Sequence, residues 1–331
     1  MVDLAFLSAV LLTSFCLSYF ALPAIIRKAK AAGMVGHDVN KPGRPEVAEM
    51  GGLAIVMGAI GALLLALALH TFLGYSLNQN EMMAAMLTMV IISLIGTFDD
   101  LFDMRKDVKT LLPMVAALPL VAVAAAGSTV VSLPFLGSID FGIFYIVALI
   151  PLGVTVSSNL TNMFAGFNGM EAGMGCVIFA AVLLLAVANG STEAGLIAAA
   201  MLGALLAFLR FNSYPARVFI GDIGNLLIGG ALAVSVILGN FESAGAILVI
   251  PYLCDFVIKA ANKFPSTEWW GEMKGKSNKL HPLGGKVRGA AQLVMKLTGG
   301  ISEQRLVLLF IAAEGLFALL AIFLYGRGLY P

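Results

Sequence analysis

Gly96-Thr97-Phe98-Asp99-Asp100-Leu101-Phe102-Asp103-Met104-Arg105-Lys106-Asp107-Val108-Lys109 ends an apolar segment in a burst of carboxylates and bases. An uncharged run from about Met82 to Ile95 precedes it and another from Leu111 to Ala126 follows. The charges therefore fall where two membrane helices meet water. At the centre of a bilayer each would cost roughly 2.5–3.5 kcal/mol on insertion scales, so Asp99 and Asp100 must face water, a cation or protein. One reading is a solvated turn carrying stop-transfer charges. The other is chemical: two adjacent carboxylates offer hard oxygens to Mg²⁺, and Lys109 stands beside them to hold a phosphate. The remaining polar loops decide between the two.

Composition sets the class. Of 331 residues, 60% are hydrophobic and only 12% charged, with mean hydropathy +0.96. That excludes an ordinary soluble domain and predicts an all-α, polytopic membrane protein, with 1–331 as a single integral membrane domain. A crossing helix needs about 20 mainly apolar residues. Ten segments qualify, near 3–26, 48–73, 82–98, 110–127, 141–158, 171–189, 193–210, 222–238, 243–262 and 304–326. Arg27, Lys28 and Lys30 follow the first apolar run instead of preceding it, which predicts a first span with its N-terminus outside and no cleaved signal peptide. Alternation then places 27–47, 99–109, 159–170, 210–221 and the long loop 259–305 in the cytoplasm and both termini outside. Those segments hold 19 of the 20 Lys and Arg residues, all but Arg327, as the positive-inside rule requires. The expected location is the cell membrane, with a basic cytoplasmic face suited to anionic headgroups and nucleotides. Cys16, Cys176 and Cys254 lie in or beside apolar spans without CxxC spacing, and read as small buried hydrophobes with neither disulfide nor zinc framework.

Four other cytoplasmic stretches carry the chemistry. The first, Gly36 to Gly52, includes Asp38, Asn40 and Lys41, and its Pro and Gly punctuation keeps it out of helix. The second, Ser157 to Gly173, has no Lys or Arg but holds Asn159, Asn162, Asn168 and Glu171 among glycines. Neutral amides at a membrane boundary can bind a ligand or complete a metal shell, or simply cap helices. The third runs from Arg210 through Arg217 and Phe219 to Gly221-Asp222 and Asn225. Asp222 opens a span, where it can cap the helix dipole or ligate a metal, with Arg217 nearby for phosphate. The fourth, 259–305, holds Lys274, Lys276, Lys279, His281, Lys286 and Arg288, while Trp269 and Trp270 suit the membrane interface. Within the spans, Asp255 and Lys259 are spaced i,i+4 to pair, and Glu314 is expected to bond a neighbouring helix. His37 and His70 lack metal-ligand spacing.

Together these motifs resemble the polyprenyl-phosphate N-acetylhexosamine-1-phosphate transferases, the family of the bacterial phospho-MurNAc-pentapeptide translocase and the eukaryotic dolichyl-phosphate GlcNAc-1-phosphate transferase. The matching elements are Gly36-x-Asp38-x-Asn40-Lys41, Gly96-x-x-Asp99-Asp100 with Lys109, Asn159-x-x-Asn162 through Asn168-Gly-x-Glu171-Ala-Gly173, and Asn212-x-Tyr214-Pro215-x-Arg217-Val-Phe219-x-Gly221-Asp222. Leu293-Val-x-Lys296 through Glu303 is also similar. The likeness covers nearly the whole chain and is nearest the dolichyl branch, with short outer loops of an archaeal kind. It implies transfer of a sugar-1-phosphate from a UDP-sugar, UDP-GlcNAc first, to a polyprenyl or dolichyl phosphate, releasing UMP. It implies Mg²⁺, with Mn²⁺ as a substitute, held by Asp222 and Asn162. Asp99 and Asp100 would lie near the metal and the attacking phosphate, with Lys109 on phosphate and Asn168 and Phe219 at the uracil. Asn40, Lys41, Glu171, Arg217 and His281 complete the expected substrate set, His281 standing where relatives carry a His/Arg-rich motif. Asp103 stands where that branch often has an amide, so no metal contact is implied for it.

The partners implied are therefore the UDP-sugar, the polyprenyl phosphate and the lipid bilayer, with a homodimer left open and no nucleic acid. Two other classes compete. Asp99-Asp100-x-x-Asp103 reads literally as the DDxxD of membrane prenyltransferases, but no other cytoplasmic loop supplies their second aspartate-rich motif. A transporter would gather its polar groups near the midplane, whereas here they gather at one face.

Overall fold

A computed structural model describes residues 2–124, 128–133, 137–265, 270–273 and 278–326. Trp269, Lys274, Lys276 and Arg327 lie outside the described residues. The fold is a helical bundle, as apolar segments in lipid must satisfy their own backbone groups. Eight helices are long and apolar enough to cross a membrane. They are α1 (Leu4–Ala31), α2 (Gly52–Leu73), α3 (Gln79–Phe102), α6 (Ile150–Met163, entered through a π-helical turn at Tyr145–Leu149), α7 (Met170–Asn189), α8 (Thr192–Asn212), α9 (Gly221–Gly239) and α13 (Glu303–Tyr325). A ninth crossing is a pair, α10 (Glu242–Leu248) and α11 (Ile250–Ala261), bent by 55°. Pro251 enters at that bend and cannot donate to the preceding turn.

The expected span at 110–127 takes a different form. It is two short helices, α4 (Lys106–Ala116) and α5 (Leu118–Ala122), neither long enough alone to cross. Pro113 and Pro119 lie within this run, and each removes a backbone donor from the helical ladder. The count among the described residues is therefore eight spans, or nine with the bent pair, where ten were expected. The cysteines also differ from expectation: Cys16 and Cys254 are on the outer surface of the bundle and Cys176 is half-buried.

α9 is the axis. Its apolar window is 89% buried inside the protein, against 22% for α1 and 28% for α13, so it has no lipid-facing side. α3 and α6 pack directly on it. α3 can come close because Gly96 has no side chain: a Cβ there would lie 2.5 Å from Ile223 Cα. Hydroxyls add interhelical ties in the outer layer, with Ser18 donating to Ala54 O at 2.9 Å and Ser14 to Ala200 O at 2.5 Å.

Among the described residues, three antiparallel strand pairs decorate the ends. β1 (Val35–His37) pairs with β2 (Glu46–Ala48) and β5 (Gly271–Met273) with β6 (Leu280–Pro282). Asn40 and the Gly271 backbone join these two at one end of the bundle. β3 (Val130–Leu133) and β4 (Gly137–Asp140) form the third at the opposite end, where Ser243 donates to Ser132 O at 2.6 Å.

Candidate active site

The turn after α3 builds the centre of the site. Asp103 closes the helix in the left-handed conformation at φ +48°, its N–H bonding Asp99 O at 3.0 Å. The reversal brings Lys109, in the first turn of α4, back beside Asp99. The Lys109 ammonium bonds Asp99 Oδ2 and Asp222 Oδ2 together. Asn162, at the end of α6, completes the cluster. In the amide orientation that satisfies both ends, its nitrogen donates to Asp222 Oδ1 at 2.8 Å and its oxygen accepts from Lys109 at 3.1 Å. Burial alone would lower the Lys109 pKa, but Asp222 and Asp99 outweigh it and hold the ammonium above its ordinary value. Lys109 is thus a fixed cation.

Two carboxylates and a carboxamide oxygen, from α3, α9 and α6, converge on that single positive charge. The same donors suit a hard divalent cation. Among the described residues no three His, Cys, Asp or Glu side chains group to hold a metal. The two carboxylates and the amide oxygen themselves fit Mg²⁺, which is usually held by one or two carboxylates and finishes its shell with water and substrate phosphate. Asp222 and Asn162, the two residues expected to hold the metal, are brought together at Lys109, and Asp99 joins them.

The two adjacent aspartates divide their work. Asp100 accepts from the backbone N–H of Asp222 at 2.9 Å and of Ile223 at 3.3 Å, so it is Asp100, and not Asp222, that caps α9. Gly221 makes the fit possible, with φ +70° and no Cβ to strike Asp100 Oδ2, which would lie 2.5 Å away. Asp100→Ala is expected to lower stability by about 1 kcal/mol, as loss of a cap does, and to lower turnover further because the start of α9 carries Asp222. Thermal unfolding and turnover measured together check this; unchanged turnover would refute the positioning role.

Beside the cluster lies a cavity of about 240 Å³ whose walls include Asn40, Asn168, Glu171, Phe219, Asn225 and Trp270. Its polar wall is tied down from several loops. Asn168 donates to Asp38 at 3.1 Å, accepts from Ala216 N–H at 2.8 Å, and gives its own N–H to Glu303 at 2.8 Å. Asn40 donates to Gly166 O at 3.1 Å and accepts from Gly271 N–H at 3.1 Å. Glu171 accepts from Gly166 N–H. Lys41 pairs with Asp38 at 2.6 Å and Glu303 at 2.8 Å and lies over the Tyr214 ring. All five expected cytoplasmic segments thus meet at one end of the bundle.

Some expected site residues lie elsewhere. Arg217 is exposed, bonds Arg210 O at 3.3 Å and covers the Phe211 ring; it is not brought to the cluster. His281 sits opposite Glu272 in the β5–β6 strand pair against Gly300 and is not among the residues lining the cavity. Trp270 lines the cavity, where a membrane-interface position was expected. Glu314 is fully buried, but among the described residues both its oxygens lack a hydrogen-bond partner, where a bond to a neighbouring helix was expected. Other contributors went unassigned in the sequence. Asp38 and Glu303 are the countercharges that buried Lys41 demands. Asn225, one turn into α9 from Asp222, presents a buried Oδ1 without a partner at the cavity.

Comparison with known proteins shows the family. The chain matches glycosyl transferase family 4 over residues 82–240, a region that contains Asp99, Lys109, Asn162 and Asp222. A Saccharolobus solfataricus protein is 36% identical over 95% of each chain and carries the provisional name UDP-N-acetylglucosamine–dolichyl-phosphate N-acetylglucosaminephosphotransferase. A Dictyostelium discoideum enzyme of that name is 26% identical over 91% of this chain and 83% of its own. The phospho-N-acetylmuramoyl-pentapeptide-transferase of Halalkalibacterium halodurans is 31% identical over 97% of this chain and 95% of its own. With likeness running over almost the full length of such relatives, this polytopic membrane protein belongs to glycosyl transferase family 4.

Proposed function

We propose that the chain transfers N-acetylglucosamine-1-phosphate from UDP-N-acetylglucosamine to dolichyl phosphate or a similar polyprenyl phosphate, releasing UMP, as the first membrane step of glycan assembly. The observation that carries this reading is the Asp99–Lys109–Asp222–Asn162 cluster beside an aromatic-walled cavity large enough for a nucleoside. The names of the relatives supply the donor and acceptor.

In this reading Asp222, Asn162 and Asp99 would hold Mg²⁺, or Mn²⁺ in its place. Bound there, the cation offsets the repulsion between two anionic reactants. An oxygen of the lipid phosphate attacks the sugar-bearing phosphorus of the UDP-sugar. One P–O bond forms, the bond to the UMP oxygen breaks, and its electron pair leaves with UMP. The attacking phosphate is already ionised near neutral pH, so positioning matters more than proton removal. Lys109 binds phosphate oxygens, Asp100 keeps Asp222 in place, and Phe219 and Trp270 flank the base. Phe98, Leu101 and Phe102 are 53%, 45% and 69% exposed beside Asp99, which offers a prenyl chain an apolar approach from the bilayer.

We further infer ten crossings with both termini outside and the site in the cytoplasm. α4 leaves from Lys109 at the site end, and the chain reaches β3 at the opposite end, so the α4–α5 segment would act as a broken tenth span. The Lys and Arg distribution supports the orientation.

Purified protein with Mg²⁺, a short polyprenyl phosphate and a panel of UDP-sugars tests the proposal. UMP and a lipid-diphosphate sugar are expected from UDP-N-acetylglucosamine. Product from a different UDP-N-acetylhexosamine would change the donor, and no UMP from any donor in folded protein would overturn the reading.

A further inference from the structure

α11 carries two charges, Asp255 and Lys259, that are only 1% and 8% exposed. They pair at 2.7 Å across one helical turn, as their spacing predicts. A buried ion pair is no stabiliser by default, because desolvating two charges can outweigh their attraction. The pair's outward bonds say what it is for. Lys259 donates to the carbonyl of Met163, the residue next to Asn162. Asp255 accepts from the N–H of Ala290 at 2.7 Å, at the start of α12 (Ala290–Leu297) in the last loop. Gly289 lets the chain come that near, since a Cβ there would lie 2.9 Å from Asp255 Oδ1. From α12, Gln292 donates to the carbonyl of Trp270 at 2.9 Å, and Trp270 walls the cavity.

We propose that Asp255 and Lys259 form a positioning clamp, which ties the segment presenting Asn162 to the loop presenting Trp270, so that the cation site and the nucleotide cavity are set by one element. Neither residue touches substrate. The clamp stands on the bent helix because the 55° break turns α11 against the end of α6 and the start of α12 together. For the identity of the nucleotide the inference rests on the proposed function above.

The test replaces the pair by apolar side chains of similar size, Asp255→Leu with Lys259→Met. Such a replacement of a buried ion pair is often neutral or stabilising, so the double variant is expected to melt at or above the wild-type temperature. Loss of interactions behind a metal ligand costs about 10- to 100-fold in metal affinity or activity, and the Mg²⁺ concentration for half-maximal turnover is expected to rise in that range. KM for the lipid phosphate should stay within about twofold, because the clamp leaves the lipid side of Asp99 alone. A second readout needs no turnover. The chain has two tryptophans, both in the last loop, and UDP added in EDTA is expected to quench their fluorescence in the wild type and to need at least about tenfold more UDP in the variant. Gly289→Ala, which displaces α12 from Asp255 without removing a charge, is expected to move the same two readouts in the same direction, by less, and carries the test if the double variant fails to fold. Wild-type values of Mg²⁺ dependence and UDP quenching in a folded variant would overturn the clamp. Absence of UDP quenching and of turnover in the wild type would instead overturn the proposed function.

Discussion

Asp222→Ala is expected to lower turnover on the order of a thousandfold while the protein still folds and extracts normally. Asp222 supplies one oxygen to Lys109 and the other to Asn162, so it links two of the other three members of the cluster directly. Losing a ligand at a charge-neutralising cation removes several kcal/mol of transition-state stabilisation; about 4 kcal/mol corresponds to three decades of rate. The fold should survive, because α9 keeps its cap from Asp100 and its buried apolar length. Lys109 would retain Asp99 as its partner. Thermal unfolding and UMP release measured on the same preparation check both halves. Turnover within tenfold of wild type would remove Asp222 from the cation site.

Lys109→Met is expected to do two opposite things. Turnover should fall by about 10²–10³, the usual consequence of deleting one preorganised donor to a charge-developing group. Divalent-cation affinity should rise, by about tenfold or 1.4 kcal/mol, because the ammonium now occupies the oxygens a cation would use. Mn²⁺ titration followed by electron paramagnetic resonance reads the affinity, and UMP release reads the rate. Weaker Mn²⁺ binding in the variant would mean that Lys109 holds the carboxylates together for the metal and does not compete with it.

How far the sequence could be read depended on the range of the interactions. Apolar runs of crossing length were legible because lipid imposes them, and the misses in form, at 110–127 and at the bent 243–262 segment, fell on runs that contain Pro113, Pro119 and Pro251. The Asp255–Lys259 pair was legible because i,i+4 spacing is local. The division between Asp99 and Asp100 was not. Successive helical side chains point about 100° apart, so one member of an adjacent pair meets Lys109 while the other meets the end of α9, and only the packing of α3 on α9 says which. Arg217 and His281 have the chemistry of phosphate and sugar ligands, but the backbone that carries them, an irregular segment for Arg217 and strand β6 for His281, directs them to Phe211 and Gly300. Trp270 was misjudged for a similar reason, since its position depends on Gln292, 22 residues away. Glu314 was expected to find a partner, and the packed helices around it supply none.

Glu303 opens the last long helix, and it bonds Lys41 and the Asn168 backbone, 262 and 135 positions earlier in the chain. The wall of the cavity is thus anchored by a residue that is made after every other member of the site. Domains and spans are made from the N-terminus onward at about 5–20 residues per second, so α1 to α9 are in the membrane before the groups that fix their loops exist. A chain that stops short of Glu303 has every residue of the acidic centre but not the anchor of the pocket wall. Until Glu303 has been made, Lys41 and the Asn168 backbone lack the partner that joins them.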